Sequence, residues 1–164
     1  IYGYSKLLAE NLFNHYAAQG LDIVILRPSS IYGYGLGKGK VLNVFFEKAI
    51  KGGLLELTAP CNKVNLIHAM DVAYVCYIVY KKDVNGIFNI AYKDNSSFKD
   101  IASTIINIVD SGKVVITGNK KTHDTRFDLD CENAVESFDF DPKICLEDGI
   151  MSMYNKCMLV EKFI

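Results

Sequence analysis

The sequence predicts an α/β fold, and three observations support this. Ile23-Val24-Ile25-Leu26 is an uninterrupted aliphatic run, which is typical of a central parallel strand buried on both faces of its sheet. Segments with apolar residues at helical spacing alternate along the chain with short apolar runs, as helices and strands do in α/β proteins. Half of the 164 residues are hydrophobic and 23% are charged, which suits a single domain, 1–164, with a buried core.

Hydrophobic periodicity and turn residues divide the chain into elements. Apolar residues recur at helical spacing from the start of the chain to about Gly20, where the first helix is predicted to end. Further helices are predicted at 41–51, 72–82, 130–138 and 146–159, with another that begins at 97. Strands are predicted at 22–27, 54–57, 63–68, 86–91 and 114–117, and loops at 27–39 and 118–125.

A few residues are expected to fix the ends of these elements. Pro28 lacks an N–H group, so we expect the ladder of the first strand to end there. Asp71 is expected to cap the helix that follows it, and Ser97 with Asp100 has the spacing of a capping box. His68 lies at a strand end and is expected to be a hydrogen-bonded structural histidine rather than an acid or base.

Composition argues against several classes of function. The 18 basic and 19 acidic residues leave a formal charge of −1, so no broad attraction for nucleic acid or an anionic membrane is expected. No apolar run approaches the roughly 20 residues of a membrane span. The five cysteines are scattered without a C-x-x-C pair, and the three histidines lack ligand spacing, so no metal site is expected. Reduced thiols in a cytoplasmic protein are the interpretation that fits.

Tyr2 and Lys6 form the most distinctive candidate pair. They are four residues apart in the first predicted helix, so both side chains are expected on one face. A phenol alone is a poor acid or base at neutral pH, but a neighbouring ammonium group stabilises the phenolate. Such a pair can move a proton to or from a hydroxyl or carbonyl group. A second pair with this spacing, Tyr77 and Lys81, lies in a predicted amphipathic helix, so spacing alone does not choose between them.

Five segments resemble, in order, the motifs of one family. They are Tyr2-Gly3-Tyr4-Ser5-Lys6 with Leu7, Ala9 and Glu10; Leu26-Arg27-Pro28-x-x-Ile31-Tyr32-Gly33-x-Gly35; Leu66-Ile67-His68-x-x-Asp71-Val72-Ala73; Gly86-x-Phe88-Asn89-Ile90; and Asp130-x-x-x-Ala134 with Pro142-Lys143-x-x-Leu146-Glu147-Asp148-Gly149-Ile150. Together they resemble the extended short-chain dehydrogenase/reductase family, and within it the NAD-dependent epimerase/dehydratase branch that works on nucleotide sugars. The ordered set is more specific than any one segment.

The resemblance implies a particular part of a larger fold. We expect the C-terminal part of a Rossmann-like fold, with parallel central strands and a small α/β substrate-binding subdomain. In the family an N-terminal half carries a Gly-rich dinucleotide-binding loop, whereas the glycines at 33, 35, 37 and 39 follow a strand without that βαβ context. The chain is therefore expected to be the C-terminal half of a larger cytoplasmic enzyme. The family also places the first helix in a dimer interface, which implies a homodimer.

The resemblance also assigns roles to individual residues. Tyr2 would act as the acid/base on the substrate, and Lys6 would support it and hold the ribose of the cofactor. Pro28, Ser29 and Ile31 match positions that adjoin the nicotinamide. The implied cofactor is NAD or NADP, and the residue that would distinguish the two lies in the N-terminal half.

The implied substrate is a nucleotide-activated sugar, although some positions depart from the family. Ser30 stands where the family usually has asparagine, and it is a candidate substrate contact. Val64 stands where such enzymes often have an arginine that binds the pyrophosphate, and valine cannot make that contact. Lys63 is a candidate replacement, but strand alternation directs it to the other face. Lys120 and Arg126 are further phosphate candidates, with a solvated charge cluster as the alternative.

Two other interpretations stay open at this point. The valine at 64 and the methionine at 70, where the family has an aspartate, would also fit a sterol-like, lipid or small carbonyl substrate. Alternatively, the 164 residues on their own form a catalytically inactive module that associates with itself through surfaces that would otherwise be covered.

Overall fold

The fold is mixed α/β, as the sequence predicts. A computed structural model describes residues 1–35, 37, 39–118 and 128–161 of the chain, with side chains to residue 159. Within these ranges the elements are α1 (Tyr2–Ala17), β1 (Val24–Pro28), β2 (Ser30–Tyr32), α2 (Val41–Ile50), β3 (Leu54–Leu57), β4 (Lys63–His68), α3 (Ala69–Lys82), β5 (Gly86–Ile90), β6 (Asn95–Ser97), α4 (Phe98–Val109), β7 (Lys113–Ile116), α5 (Glu132–Phe138) and α6 (Leu146–Glu161).

The described strands form three small sheets. β1 pairs with β5 in parallel, from Val24 opposite Gly86 to Pro28 opposite Ile90. β4 lies between β2, which is parallel to it, and β6, which is antiparallel. β3 and β7 form a further parallel pair. The chain therefore passes from one sheet to another between β1 and β2, which are separated only by Ser29.

The prediction of a loop over residues 27–39 is wrong for its first residues, which belong to strands. Although Pro28 has no N–H to donate, it stays in register opposite Ile90, and the N–H of Ser29 donates to the Ile90 carbonyl at 2.8 Å. Ser30 then starts a second strand, whose last residue, Tyr32, is almost fully buried. A strand of three residues has too few residues to show a period in the sequence.

The prediction that β1 is buried on both faces is also not met in the described residues. Val24, Ile25 and Leu26 are half-buried, while Arg27 and Pro28 are exposed. Within the described part of the chain, β1 has β5 as its pairing partner on one side, so its other edge lacks a neighbouring strand.

The start of α3 corrects one prediction and confirms another. The helix begins at Ala69, and His68 is its N-cap, with Nδ1 accepting the Met70 N–H at 3.2 Å. His68 is thus hydrogen-bonded, as expected. Asp71 is not the cap, because it lies inside the first turn and its carboxylate accepts the N–H groups of Lys143 and Ile144, each at 3.1 Å. These bonds connect α3 to the segment before α6.

The capping box predicted at Ser97 is present. Ser97 Oγ accepts the Asp100 N–H at 3.1 Å, and the Asp100 carboxylate accepts the Ser97 N–H at 3.2 Å. These two reciprocal bonds satisfy backbone donors that the first turn of a helix leaves free.

The buried side chains form two clusters. The first lies among α2, β3, α4 and α6 and contains Tyr32, Leu42, Phe45, Phe46, Ala49, Leu55, Leu57, Ile101, Ala102, Ile105, Val109, Ile150 and Met153. The second lies among β1, β5, α3 and α5 and contains Ile67, Val75, Val79, Phe88, Ile90, Ala134, Phe138 and Phe140. β4 separates them: Val64 and Leu66 pack against the first cluster, and Ile67 belongs to the second, as strand alternation requires.

Tyr32 connects β2 to α6. Its side chain is 1% exposed, its hydroxyl donates to the Cys145 carbonyl at 3.0 Å, and its ring meets the His68 ring edge-on at 5.1 Å. Burial is the main cause of the raised pKa of this phenol. Gly149 packs directly against this ring. Because glycine has no side chain, it leaves room for the ring, whereas a Cβ at this position would lie 2.6 Å from Tyr32 Cζ.

None of the helices in the described ranges has both the length and the apolar character needed to cross a bilayer.

We expect Gly149→Ala to destabilise the fold by about 1–3 kcal/mol, because the new methyl group overlaps the buried Tyr32 ring. Gly3→Ala is the matched control: it also lies within a helix, but a Cβ there meets no atom within 4 Å. Helix propensity favours alanine by up to about 1 kcal/mol at both positions. Urea denaturation measures both variants, and equal stability changes would contradict the packing described for Tyr32.

His68 is expected to make stability depend on pH. It is 4% exposed, and burial lowers its pKa below the ordinary 6.5. The neutral ring is therefore favoured in the folded state, and as the pH falls below 6.5 the unfolded chain takes up a proton that the folded chain resists. The free energy of unfolding should decrease through this range until the folded-state pKa is passed.

The measurement is urea denaturation of the wild type and of His68→Asn at pH 7.5, 6.0 and 5.0. Asparagine keeps an oxygen that can cap α3 but does not titrate. The wild type should lose more stability than the variant as the pH falls. The same pH dependence in both proteins would show that His68 does not contribute it.

Candidate functional site

The candidate pair on α1 lies together in the structure. Lys6 Nζ is 5.4 Å from the centroid of the Tyr2 ring, so the two side chains share one face of the helix, as their spacing predicts. The Tyr2 side chain is 77% exposed, and a ligand can therefore reach it. The second pair is similar in this respect, since Lys81 Nζ is 5.8 Å from the Tyr77 centroid. Position in the fold has to distinguish the two pairs.

An ion pair places α1 against β1. Arg27 Nε donates to Glu10 Oε1 at 2.9 Å, and a second guanidinium nitrogen contacts the other carboxylate oxygen. The hydrogen bond from Arg27 is the main cause of the lowered pKa of Glu10. At the other end of the helix, Ala17 lines a shallow cleft with Ile23 and Gly86, where β1 and β5 begin.

The direction of α1 follows from these two contacts. Its last turn lies beside the start of β1, and Glu10 lies beside Arg27 near the end of the strand. The helix is therefore antiparallel to β1, and its first turns, with Tyr2 and Lys6, extend beyond the carboxyl end of the strand. Ligands of α/β proteins bind in the crevice outside the carboxyl ends of the parallel strands, so this pair is at the end where a site is expected.

Ser29 lies at the same end, between the two sheets. Its N–H completes the β1–β5 ladder, whereas its Oγ is buried and has no hydrogen-bond partner among the described residues. A buried hydroxyl without a partner is unfavourable. Ser29 helps to line a cleft of about 320 Å³, together with Pro28, Ser30, Val64, Asn65 and Leu129.

A second cleft, of about 260 Å³, adjoins the first. Its described lining residues are Ser30, Ile31, Tyr32, Lys40, Val41, Leu42, Val64, Leu66, Phe98 and Ile101. The lining is mostly aliphatic or aromatic, and of these residues only Lys40 carries a charge. Ser30 and Val64 belong to both clefts, so the clefts are neighbours. The two clefts are together called the trough, and their lining residues run from the β1–β2 junction to the start of α2.

Of the three predicted phosphate-binding residues, the structure describes Lys63 alone. Lys63 is exposed at the start of β4, opposite Ser97, and lies outside the described lining of both clefts. Lys120 and Arg126 lie outside the described residues. Sequence reasoning did not single out Lys40, which helps to line the second cleft.

Two other groupings lack the features of a site. Arg27, Asp130, Glu132 and Glu136 line an open polar depression, but Arg27 is already paired with Glu10. In the described part of the chain, no three His, Cys, Asp or Glu side chains come together as a metal site would need.

Comparison with known proteins gives relatives that include proteins named for UDP-sugars. A UDP-N-acetyl-alpha-D-glucosaminuronate decarboxylase from Bacillus cytotoxicus is 27% identical over 161 residues, covering 91% of this chain and 50% of the decarboxylase. The crystal structure of a UDP-N-acetylglucosamine 4-epimerase from Bacillus cereus is 29% identical and superposes with a TM-score of 0.83, covering 96% of this chain and 56% of the epimerase.

A second solved structure shows the same fold at lower identity. A UDP-glucuronic acid 4-epimerase from Bacillus cereus, in complex with UDP-glucuronic acid and NAD, is 21% identical with a TM-score of 0.81, covering 97% of this chain and 52% of that protein. The Rossmann-like fold class predicted from the sequence is thereby confirmed. The chain spans about half the length of each of these three relatives.

The family model for the NAD dependent epimerase/dehydratase family matches residues 1–91, which is more than half of the chain, and the chain belongs to this family.

Proposed function

We propose that this protein is an NAD(P)-dependent epimerase, dehydratase or reductase of a nucleotide-activated sugar. The observation that carries the proposal is the exposed Tyr2–Lys6 pair on the turns of α1 that extend beyond the carboxyl end of β1. The names of the relatives support the substrate class, since the decarboxylase and both epimerases are named for UDP-sugars. A cytoplasmic location belongs to the same proposal.

In this proposal Tyr2 transfers a proton to or from a hydroxyl or carbonyl oxygen of the sugar. The Lys6 ammonium lies close enough to stabilise the phenolate left when Tyr2 gives up its proton. Lys6 also carries donors that can bind ribose hydroxyls. The chemistry supplied by a bound nicotinamide cofactor is hydride transfer.

The residues after β1 fit a nicotinamide cofactor. The buried Ser29 Oγ lacks a partner among the described residues. Rotation of this side chain towards the cleft that Ser29 lines would let the hydroxyl bond to a carboxamide. Pro28 and Ser30 line the same cleft, and Ile31, which is 41% exposed, lines the adjoining one. These side chains would orient the ring and exclude water from one side of it, whether the cofactor is NAD or NADP.

Ser30 is the proposed hydroxyl contact for the substrate, because it borders both clefts of the trough. Lys63, Lys120 and Arg126 stay predictions as phosphate contacts, and Lys63 gains no support from the lining of the clefts.

A homodimer is part of the proposal. None of the residues of α1 is buried within the described structure. Tyr4, Leu8 and Leu12 follow one another at four-residue spacing and are 76%, 66% and 54% exposed. Burial of this stripe against a second copy would remove apolar surface from water.

Replacing Tyr2 by phenylalanine tests the catalytic assignment in the full-length protein. Tyr2→Phe removes the acid/base group and should lower turnover of the sugar nucleotide by about 100- to 10,000-fold, the range that general acid/base catalysis contributes. Cofactor affinity, measured by fluorescence titration, should change little, because the ring stays.

Tyr77→Phe is the matched control, since Tyr77 has the same spacing to a lysine but belongs to α3. Its turnover should remain that of the wild type. Wild-type turnover in Tyr2→Phe, or an equal loss in both variants, would exclude the proposed role of Tyr2.

A non-nucleotide substrate is the second candidate, and the apolar lining around Val64, Leu66 and Phe98 favours it. Thermal-shift measurements on the full-length protein with a panel of UDP-, dTDP- and GDP-sugars, sterols and small ketones discriminate the two. A ligand that binds only the folded state raises the melting temperature. We expect at least one sugar nucleotide to do so. A shift with sterols or ketones alone would overturn the proposal.

A further inference from the structure

Asn85 and Gly86 form the single Asn-Gly sequence in the chain. Asn85 lies directly before β5 and Gly86 is the first residue of that strand, and both residues are exposed. Gly86 has a φ of +130°, a conformation that favours glycine because it has no Cβ. The same lack of a Cβ leaves the backbone nitrogen of Gly86 unshielded on the side of the Asn85 amide.

Two hydrogen bonds hold this pair in the folded chain. Asn85 Nδ2 donates to Asp22 Oδ1 at 3.0 Å, and the Gly86 N–H donates to the Ile23 carbonyl at 3.0 Å. Both bonds connect the start of β5 to the residues just before β1, so they lie at the first rung of the β1–β5 pair. The side-chain amide and the adjacent backbone nitrogen are thus each engaged with a neighbour.

This rung lies at an end of the sheet that water reaches. Asp22, Ile23, Asn85 and Gly86 help to line the shallow cleft at the start of β1 and β5, which has a volume of about 240 Å³. The first rung of a strand pair has no further rung beyond it, and exposed backbone hydrogen bonds of this kind open at a lower free energy than those of the core. The two bonds therefore break together from time to time while the rest of the fold stays intact.

We propose that Asn85 is a site of spontaneous deamidation, which Asp22 restrains. When the first rung opens, the Gly86 nitrogen gives its proton to solvent and attacks Asn85 Cγ. The new N–C bond closes a five-membered succinimide, the Cγ–Nδ2 bond breaks, and ammonia leaves. Water then opens the ring at either carbonyl, so that residue 85 becomes aspartate or isoaspartate. One water is consumed and one ammonia released, without oxidation or reduction.

Asp22 opposes this reaction in two ways. Its carboxylate accepts the Asn85 amide and so holds the side chain away from the backbone conformation that ring closure needs. Its negative charge also disfavours the anionic nitrogen and the anionic oxygen that form during attack. Among the described residues that line this cleft, Asp22 is the one that carries a charge, so a compensating cation is not supplied there.

Deamidation would change the start of the β1–β5 pair. Aspartate at position 85 has lost the N–H donor and places a second carboxylate beside Asp22, where like charges repel. Isoaspartate also adds one carbon to the backbone directly before Gly86, whose partner in the ladder is Val24. Either product should weaken the first rung. Asn85→Asp reproduces one product directly, and it should melt at a lower temperature than the wild type.

The test is incubation of the full-length protein in mildly alkaline buffer at physiological temperature, followed by peptide mass mapping. Asn85 should be the first asparagine to gain the mass of the amide-to-carboxyl change. Unfolding in guanidinium should raise its rate at least about tenfold, because opening then costs nothing. Asp22→Ala should raise the rate in the folded protein about three- to tenfold, the factor that corresponds to the loss of one hydrogen bond.

Asp22→Asn is the matched control, because its amide oxygen still accepts the Asn85 N–H and only the charge is removed. Its rate should lie between those of the wild type and Asp22→Ala. Asn85→Gln should show no mass gain in this peptide over the same period, since its longer side chain would have to close a six-membered ring. Asn95, which is followed by serine and lies within β6, provides an internal comparison in every sample and should convert later than Asn85.

Two outcomes overturn the inference. Conversion of another asparagine before Asn85 in the folded wild type shows that the first rung does not open as proposed, and this result does not depend on any variant. Equal rates in the wild type and Asp22→Ala show that Asp22 does not restrain the reaction. Neither measurement involves a sugar nucleotide or a cofactor, so the proposed function stands or falls separately.

Discussion

The candidate site depends on the change of sheet at Ser29. The Ser29 N–H donates to Ile90 and completes the β1–β5 pair, and the next residue begins the pairing with β4. The connection between β1 and β2 is a single residue, which is too short to form a loop. The two sheets are therefore held side by side at the carboxyl end of β1. Ser30 and Val64 border both clefts. The Ser29 hydroxyl, which is buried and has no partner among the described residues, is a local energetic cost of this junction.

Contacts distant in sequence keep this junction in place. Tyr32 ends β2 inside the first core, where its hydroxyl donates to the carbonyl of Cys145, 113 residues later. Asp71 lies in the first turn of α3, and its carboxylate accepts two N–H groups from the segment just before α6. Both contacts converge on the segment that precedes α6. This segment therefore supports the walls of the trough although none of its residues lines either cleft in the described structure.

Helix α1 is attached to the rest of the structure by polar contacts rather than by buried side chains. It buries no residue in the described structure, and its main polar contact is the exposed Arg27–Glu10 pair. Exposed ion pairs contribute little to stability. The contacts of α1 within the described structure therefore fix the position of Tyr2 and Lys6 less firmly than buried packing would. Precise placement of an acid/base group matters greatly for turnover.

Local sequence signals determined the type and order of nearly all elements, the capping box at Ser97 and the shared face of Tyr2 and Lys6, because helical and strand periods and cap residues act over a few positions. The family likewise followed from short motifs in order. The tertiary structure alone decided that Ser30 to Tyr32 form a strand, that Asp71 binds backbone more than 70 residues away, and that Lys40 shares a cleft with Val64. These depend on pairing and packing between segments far apart in the chain, which no local pattern encodes.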